Sequence, residues 1–462
     1  MAIGKYSIPA LARQQAATQI VERLRAAGNA AYFAGGCVRD LLLGREPSDF
    51  DVASSATPQQ VLAMFPRTFA VGAQFGVVLV VDAYGSEEIL TEVATFRSDE
   101  AYSDGRRPDA VRYTDSAEQD VLRRDFTING MLLDTERLKV SGSVDDAVLD
   151  FVGGREDLRR RIVRAIGDAR QRFAEDRLRM LRAVRFAARF GFEIEDNTLL
   201  AIRATAREID RVSRERVREE LTRMLTEGAA RRAFELLEET GLLAEVLPEV
   251  ARMAGVEQPP QYHPEGDVWI HTRMLLEQLP DGCSPTLAWG ALLHDVGKPP
   301  TFRSAPDRVR FDGHVDVGVR MAEGICRRLR MSNSDIQQVL ALVANHMRFG
   351  DVEKMRASTL KRFFRLDRFD EHLALHRMDC MASHRDLSLY QFALERYQTA
   401  APEQIRPTSL ITGDDLIALG YRPGPEFRKM LELVEDAQLE GAIHAREEAL
   451  AMIASSFPRP SF

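Results

Sequence analysis

The chain is poor in the residues that would place it outside the cell or inside a membrane. Its four cysteines, Cys37, Cys283, Cys326 and Cys380, stand far apart and form no Cys-x-x-Cys pair. That spacing excludes a disulfide framework and a thiolate zinc site, and it fits a reducing compartment. No uninterrupted apolar run approaches the ~20 residues of a membrane helix. The opening stretch carries charges where a secretory signal needs its apolar centre. The expectation is a cytoplasmic protein with no membrane role. There is no internal repeat, no low-complexity tract, and no Ser or Cys constellation of the kind covalent catalysis requires. Net positive charge is also lacking: 62 Lys and Arg against 70 Asp and Glu leave −8, which taken alone argues against a nucleic-acid partner.

What is present is a globular composition, 45% apolar and 29% charged, in 462 residues. That length exceeds one core and implies three or more domains. The charge is also unevenly spread. Between Arg155 and Arg223 there are 19 Arg, no Lys and 13 Asp or Glu, a local excess of +6. Clustered Arg suits phosphate and base contacts, although a helical surface laced with ion pairs has the same composition.

Along the chain, an amphipathic helix over 18–27 precedes a short apolar strand (AAYFA) and a Gly-Gly turn. VRDLLLG reads as one or two helical turns. SDFDVAS reads as a strand with alternating carboxylates, and TPQQVLAMF as a helix capped by Thr57 with Pro58 at its first position. FGVVLVVD and EEILTEVATFR are β-branched strands. Residues 98–115 are polar and punctuated by Gly and Pro, which predicts a mobile loop. From Gly154 the pattern turns helical. QPPQYHPEGD reads as a boundary near 260, and residues 399–415 as a linker into a last helical piece.

The first candidate site combines Gly35, Gly36 and Arg39 with Asp49 and Asp51. A Gly-Gly turn lets backbone N–H groups approach a triphosphate, and an Arg on the next turn can pair with it. Residues i and i+2 of a strand share a face, so Asp49 and Asp51 point together while Phe50 enters the core. Two parallel carboxylates want a cation between them, and Mg²⁺ shares its oxygen shell with phosphates. Glu92 is a candidate third acid, on placement alone.

GGCVRDLLLG, DFDV, RRDFTING and AEDRLRMLRAVRFAARFGF occur in that order. The set, spanning residues 30 to about 225, resembles the class II tRNA nucleotidyltransferases and their bacterial poly(A) polymerase relatives. GDDLIALGYRPGPEF also looks like the end of such enzymes. The resemblance implies that Gly36 and Arg39 contact the incoming nucleotide, that Asp49 and Asp51 are catalytic carboxylates holding Mg²⁺, and that Arg124 binds the triphosphate. It implies that Asp125 anchors a turn. It also implies that Asp176, Arg179, Arg182 and Arg185 form a nucleotide-reading helix. Their spacing puts Asp176 and Arg179 on one helix face, with the other two arginines continuing the stripe.

A second constellation lies further on: His271 and the pair His294-Asp295 on helices, His314 in a loop after FDG, His346 at a helix end, and Asp379. Mixed N and O donors suit a divalent transition metal such as Mn²⁺ or Ni²⁺. His314 and His346 could hold a second ion, and which of His372, His376 and His384 joins Asp379 stays open. His263 and His444 read as structural or exposed. The order H…HD…H…H…D resembles the HD phosphohydrolases, and PEGDVWIHT the stretch preceding it in HD-containing CCA-adding enzymes.

The expected fold is therefore α+β: a mixed-sheet nucleotidyltransferase head at 1–153, a helical neck and body at 154–255 with the nucleotide-reading helix and an RNA-binding face, an HD domain at 256–395, and a helical tail at 396–462. The implied activity is addition of C, C and A to the 3′ end of tRNA from CTP and ATP, with pyrophosphate released, and with a further HD phosphohydrolase activity. Poly(A) or A-only addition within the same family remains open, as does an HD phosphohydrolase with an RNA-binding head.

Overall fold

The computed structural model describes residues 8–70, 76–99, 111–261, 263–304 and 309–457. Contacts divide the chain into two compact units, residues 1–246 and 247–462. No described helix is long and apolar enough to cross a membrane.

The first unit opens with a helix over Ala10–Ala26 that buries Ala16, Ala17, Ile20, Val21 and Leu24. It begins before Thr18 because alanines, too small to mark an amphipathic stripe, carry its first turns. The strands are β1 (Ala31–Ala34), β2 (Val52–Ser54), β3 (Thr68–Phe69), β4 (Val77–Tyr84), β5 (Glu87–Thr95), β6 (Arg97–Asp99), β7 (Val111–Tyr113), β8 (Met131–Leu133) and β9 (Val148–Asp150). Among the described residues, seven form one mixed sheet in the order β3-β4-β5-β2-β1-β8-β9. β2 and β5 are parallel, with Val52 facing Val93, and the other neighbours are antiparallel. Phe33, Val52, Val78, Val93, Leu132 and Leu133 fill its core. Thr57 caps Pro58–Met64 through a capping box with Gln60, as its sequence requires. Most of the 98–115 stretch lies outside the described residues. Its ends, β6 and β7, pair antiparallel, where the sequence suggested only loop.

Helices follow within the same unit, among them Ala169–Glu175, Leu178–Phe190, Asp196–Thr205, Arg214–Thr226 and Ala230–Glu239. Leu178–Phe190 is their centre. It buries Met180, Leu181, Ala183, Val184 and Ala187, and Gly191 at φ 66° ends it. This region is not wholly helical: Ile162–Val163 and Glu193–Ile194 form a short parallel pair.

In the second unit Val268–Leu276, Pro285–Leu293, His314–Arg328, Asn333–Asn345 and Phe369–Ala382 surround a buried core. Gly290 lets two of them close tightly, since a Cβ there would lie 2.6 Å from Leu342 Cδ1. The terminal helices keep a separate small core around Leu416, Tyr421, Met430, Val434 and Ile453. Arg362 ties them to Ala357–Phe364 through Glu435 at 2.6 Å.

Candidate active site and metal centre

β1 runs directly into the Gly35-Gly36 turn. Gly35 adopts φ 72°, ψ −124°, a conformation glycine alone takes freely, and Gly36 opens the helix Gly36–Leu42. A Cβ on Gly35 would lie 3.5 Å from Arg124 Nη1, and one on Gly36 the same distance from Arg39 Nη2. Two guanidinium groups therefore border the turn, but they are held differently. Arg39 is buried, with Nε and Nη2 on Asp40 Oδ1 at 2.9 and 2.8 Å and Nη1 donating to Asn129 Oδ1 at 2.6 Å. Its cation stacks on Phe190 at 4.5 Å. In this conformation three of its five N–H donors are engaged within the protein, so Arg39 braces the turn. Arg124 clamps Asp120 Oδ2 with Nε and Nη2 at 3.2 and 2.9 Å, while Nη1 borders Gly35.

Asp120 was not among the sequence candidates. It is 1% exposed and also holds Arg123, at 2.6 Å. Burial alone would raise its pKa, but the charges of Arg124 and Arg123 outweigh that and hold it below the usual range. The available signal was its i,i+4 spacing to Arg124.

Asp49 and Asp51 precede β2 rather than lying on it, yet the alternation holds. Phe50 is buried against Phe33, ring centres 5.4 Å apart. Because Val52 pairs with Val93 in parallel, Asp51 just before β2 and Glu92 on β5 each come one residue earlier and lie side by side. Burial, then the charges of Asp49 and Glu92, push the Asp51 pKa up to about 7, with Arg124 opposing. Partial burial and Asp49 raise Glu92 as well. This crowding of acids is an excess negative charge that a divalent cation would neutralise, and an all-oxygen set fits Mg²⁺. The three acids are looser than a closed site: among the described residues, the acid and histidine groups converging within 4.8 Å all belong to the second unit.

The four residues assigned to the nucleotide-reading helix do not share one helix face. Asp176 sits before the helix in extended backbone, φ −146°, and its Oδ1 accepts from Leu178 N–H at 3.1 Å. Each side chain has an ionic partner. Asp176 is held by Arg216, Arg179 by Glu175 at 2.7 Å, Arg182 by Asp125 at 2.8 Å and Arg185 by Glu220 at 2.6 Å. Arg179 Nη2 also donates to Arg123 O at 3.0 Å, which ties this segment to the one carrying Arg124. Arg185 is 4% exposed, so in this conformation it is internal rather than base-facing.

In the second unit, helix ends aim the imidazoles inward. His294, His314 and His346 place Nδ1 2.8, 3.0 and 2.7 Å from the carbonyls of Ala291, Phe311 and Val343. That contact fixes the tautomer and turns each Nε2 to the centre. His314 opens a helix rather than lying in a loop, with Gly313 at φ 75° before it. Three groups result: His263, Glu265 and His271; His271, His294 and Asp379; and Asp295, His314 and His346. Asp295 joins them, with Oδ2 3.2 Å from His294 Nε2 and Oδ1 3.9 and 3.8 Å from His314 and His346 Nε2. The Nε2 atoms of His314 and His346 are buried without a hydrogen-bond partner, as lone pairs meant for a metal would be.

His372 and His376 stand apart from this centre. Burial lowers both to about 4, and His376 stacks on Phe349 at 4.3 Å. Three residues went unread in the sequence. Lys298 places Nζ 2.8 Å from Asp295 Oδ2 and donates to Gln258 Oε1 at 2.6 Å. Glu265 Oε1 lies 2.7 Å from His271 Nδ1 and 2.8 Å from His263 Nδ1. Burial would lower His271, but the carboxylates of Asp379 and Glu265 lift it to about 9. The stretch near 260 is thus a wall of the site rather than only a boundary.

Residues 31–164 match the poly A polymerase head domain, 191–253 a probable RNA and SrmB-binding site of polymerase A, and 266–372 the HD domain. The chain is 44% identical over 233 residues to the CCA-adding enzyme of Geobacillus stearothermophilus, covering 50% of this chain and 54% of that protein. It thus spans about half the length of that relative. It is 34% identical over 432 residues to the multifunctional CCA protein of Burkholderia multivorans, covering 90% of this chain and 98% of that one. The crystal structure of the Bacillus stearothermophilus CCA-adding enzyme in complex with CTP superposes with a TM-score of 0.73 at 27% identity, over 97% of this chain and 98% of that one. With the head, RNA-binding and HD modules in one chain and a nearly full-length match to a multifunctional CCA protein, the chain belongs to the CCA-adding enzyme family of nucleotidyltransferases.

Proposed function

We propose that this protein adds C, C and A in turn to the 3′ end of tRNA, using CTP and ATP without a nucleic-acid template and releasing pyrophosphate. The observation that carries the reading is the meeting of Asp49, Asp51 and Glu92 with Arg124 beside the Gly35-Gly36 turn. Residues 1–153 are then the catalytic head, 154–255 the neck and body, 256–395 the HD domain and 396–462 the tail. The four free cysteines fit work in the cytoplasm.

In this reading the backbone N–H groups of the glycine turn and Arg124 Nη1 hold the triphosphate, with Arg39 bracing the turn beneath. Asp49 and Asp51 would hold Mg²⁺, which when bound lowers the cost of charge on the attacking and leaving oxygens. The tRNA 3′-hydroxyl attacks the α-phosphate, its O–P bond forms, and the bond to pyrophosphate breaks. The segment around Asp176 and Arg179 selects the base. The protein supplies positioning and charge, without a covalent intermediate.

The test is incubation of the full chain with tRNA lacking its 3′ end, giving CTP and ATP separately and together, with product lengths read on a gel. Three added residues with both nucleotides, and none with Asp49→Ala or Asp51→Ala of unchanged melting temperature, support the reading. A long A tail, or a single A alone, would instead select poly(A) or A-only addition.

A second activity is proposed for the HD centre, a metal-dependent phosphohydrolase. It rests on the buried, unpartnered Nε2 atoms of His314 and His346 facing Asp295. His271, His294, Asp295 and Asp379 would hold Mn²⁺ or Ni²⁺, with His314 and His346 free to take a second ion. His294→Ala should lose bound metal by elemental analysis and lose hydrolysis of 2′,3′-cyclic nucleotides. Hydrolysis that survives the change would reject this ligand set.

A further inference from the structure

Asp176 is joined from forty residues away by a side chain that no sequence motif marked. Arg216, on Arg214–Thr226, sets Nη1 3.1 Å from Asp176 Oδ1 and Nη2 2.7 Å from Oδ2. This is the parallel two-pronged geometry that fixes the plane of a carboxylate. One turn on, Glu220 grips Arg185 at 2.6 Å, so a single helix face holds the base-selecting segment at two points.

A carboxylate has about four acceptor sites. Arg216 uses two of those on Asp176, and Leu178 N–H takes another on Oδ1 at 3.1 Å. About one remains, on Oδ2. The edges of cytosine and adenine present an exocyclic amine, a donor, where uracil and guanine present a carbonyl oxygen. A carboxylate locked in one plane with one open acceptor can satisfy an amine and repels a carbonyl. A carboxylate free to turn could take the ring N–H of uracil or guanine instead.

We infer that Arg216 is a specificity-determining positioning residue, which locks Asp176 so that its remaining acceptor admits C and A and rejects U and G. Arg216 acts through Asp176 and touches no substrate. The inference rests on the reading of Asp176 as a base-contacting residue, and it adds a residue that the family resemblance did not supply.

The experiment measures incorporation of CTP, ATP, UTP and GTP onto tRNA lacking its 3′ end by the full chain and its variants. Arg216→Ala should raise the UTP:CTP ratio by roughly tenfold or more, the lower end for one hydrogen bond to a charged group. Arg216→Lys keeps the charge but not the fork, so it should also relax the ratio, by less. Adding Arg216→Ala to Asp176→Ala should change the ratio no further. Melting temperatures accompany each assay, and Arg216→Lys carries the test if Arg216→Ala does not fold. Equal loss for all four nucleotides with unchanged ratios would make Arg216 a merely structural residue and overturn the inference. If Asp176→Ala relaxes selection and neither Arg216 variant does, the inference alone fails. If Asp176→Ala also leaves the ratios unchanged, the underlying reading of Asp176 fails with it.

Discussion

Replacing Asp51 by asparagine keeps the side chain's size and removes a charge that burial and neighbouring acids disfavour. In the metal-free protein, burial and the neighbouring Asp49 and Glu92 carry this carboxyl from 3.8 to about 7. Ionising it in the fold therefore costs about 4 kcal/mol more than in the unfolded chain, an upper figure because solvent reaches the site. Its folded pKa is raised, so the folded protein keeps the proton between about pH 4 and 7 while the unfolded chain has released it. Stability then falls as pH rises through that window and is flat above it. Asp51→Asn should melt like wild type near pH 4. By pH 8, in chelator, it should melt higher by up to roughly 16 °C, at roughly 2–4 °C per kcal/mol for a unit of this size. Added Mg²⁺ should stabilise wild type at pH 8 and the variant far less. Calorimetry from pH 4 to 8.5, with and without Mg²⁺, measures all three. Equal melting temperatures at pH 8 in chelator, or a gap that does not close toward pH 4, would refute the idea that these acids repel one another in the fold.

Other outcomes follow from single contacts. Asp120→Asn releases the clamp on Arg124 (3.2 and 2.9 Å), so KM for CTP and ATP should rise together, by about tenfold, at unchanged base selection; steady-state kinetics checks this. Glu265→Gln removes the carboxylate 2.7 Å from His271 Nδ1 and should weaken metal retention about 10- to 100-fold, read by competition with a chelator, while nucleotide addition is unchanged. Gly297→Ala would put a Cβ 2.1 Å from His314 O and 2.5 Å from Gly318 N. It should destabilise the second unit by about 3 kcal/mol or more, and a melting curve like wild type would show that this turn can yield.

What the sequence determined by itself were features that act over short spacing. The Thr57 cap, the Gly-Gly turn and the inward Phe50 between outward Asp49 and Asp51 each follow from local geometry and could be read directly, whereas the ordered histidines were legible through their resemblance to the HD phosphohydrolases. Tertiary structure decided which of these groups meet. The parallel register of β2 and β5 sets Glu92 beside Asp51, a pairing of residues 41 apart that no periodicity encodes. Asp120 and Lys298 were not singled out in the sequence, and the fold buries them paired at 2.9 Å with Arg124 and 2.8 Å with Asp295. The arginine stripe of Asp176 to Arg185 was legible as a pattern. Its meaning changed because each member faces a partner, Glu175, Asp125, Glu220 or Arg216, and three of these four lie at least 35 residues away. A helical wheel gives the direction of a side chain, and only the packed neighbour fixes whether its charge is spent inside the protein or offered to a ligand.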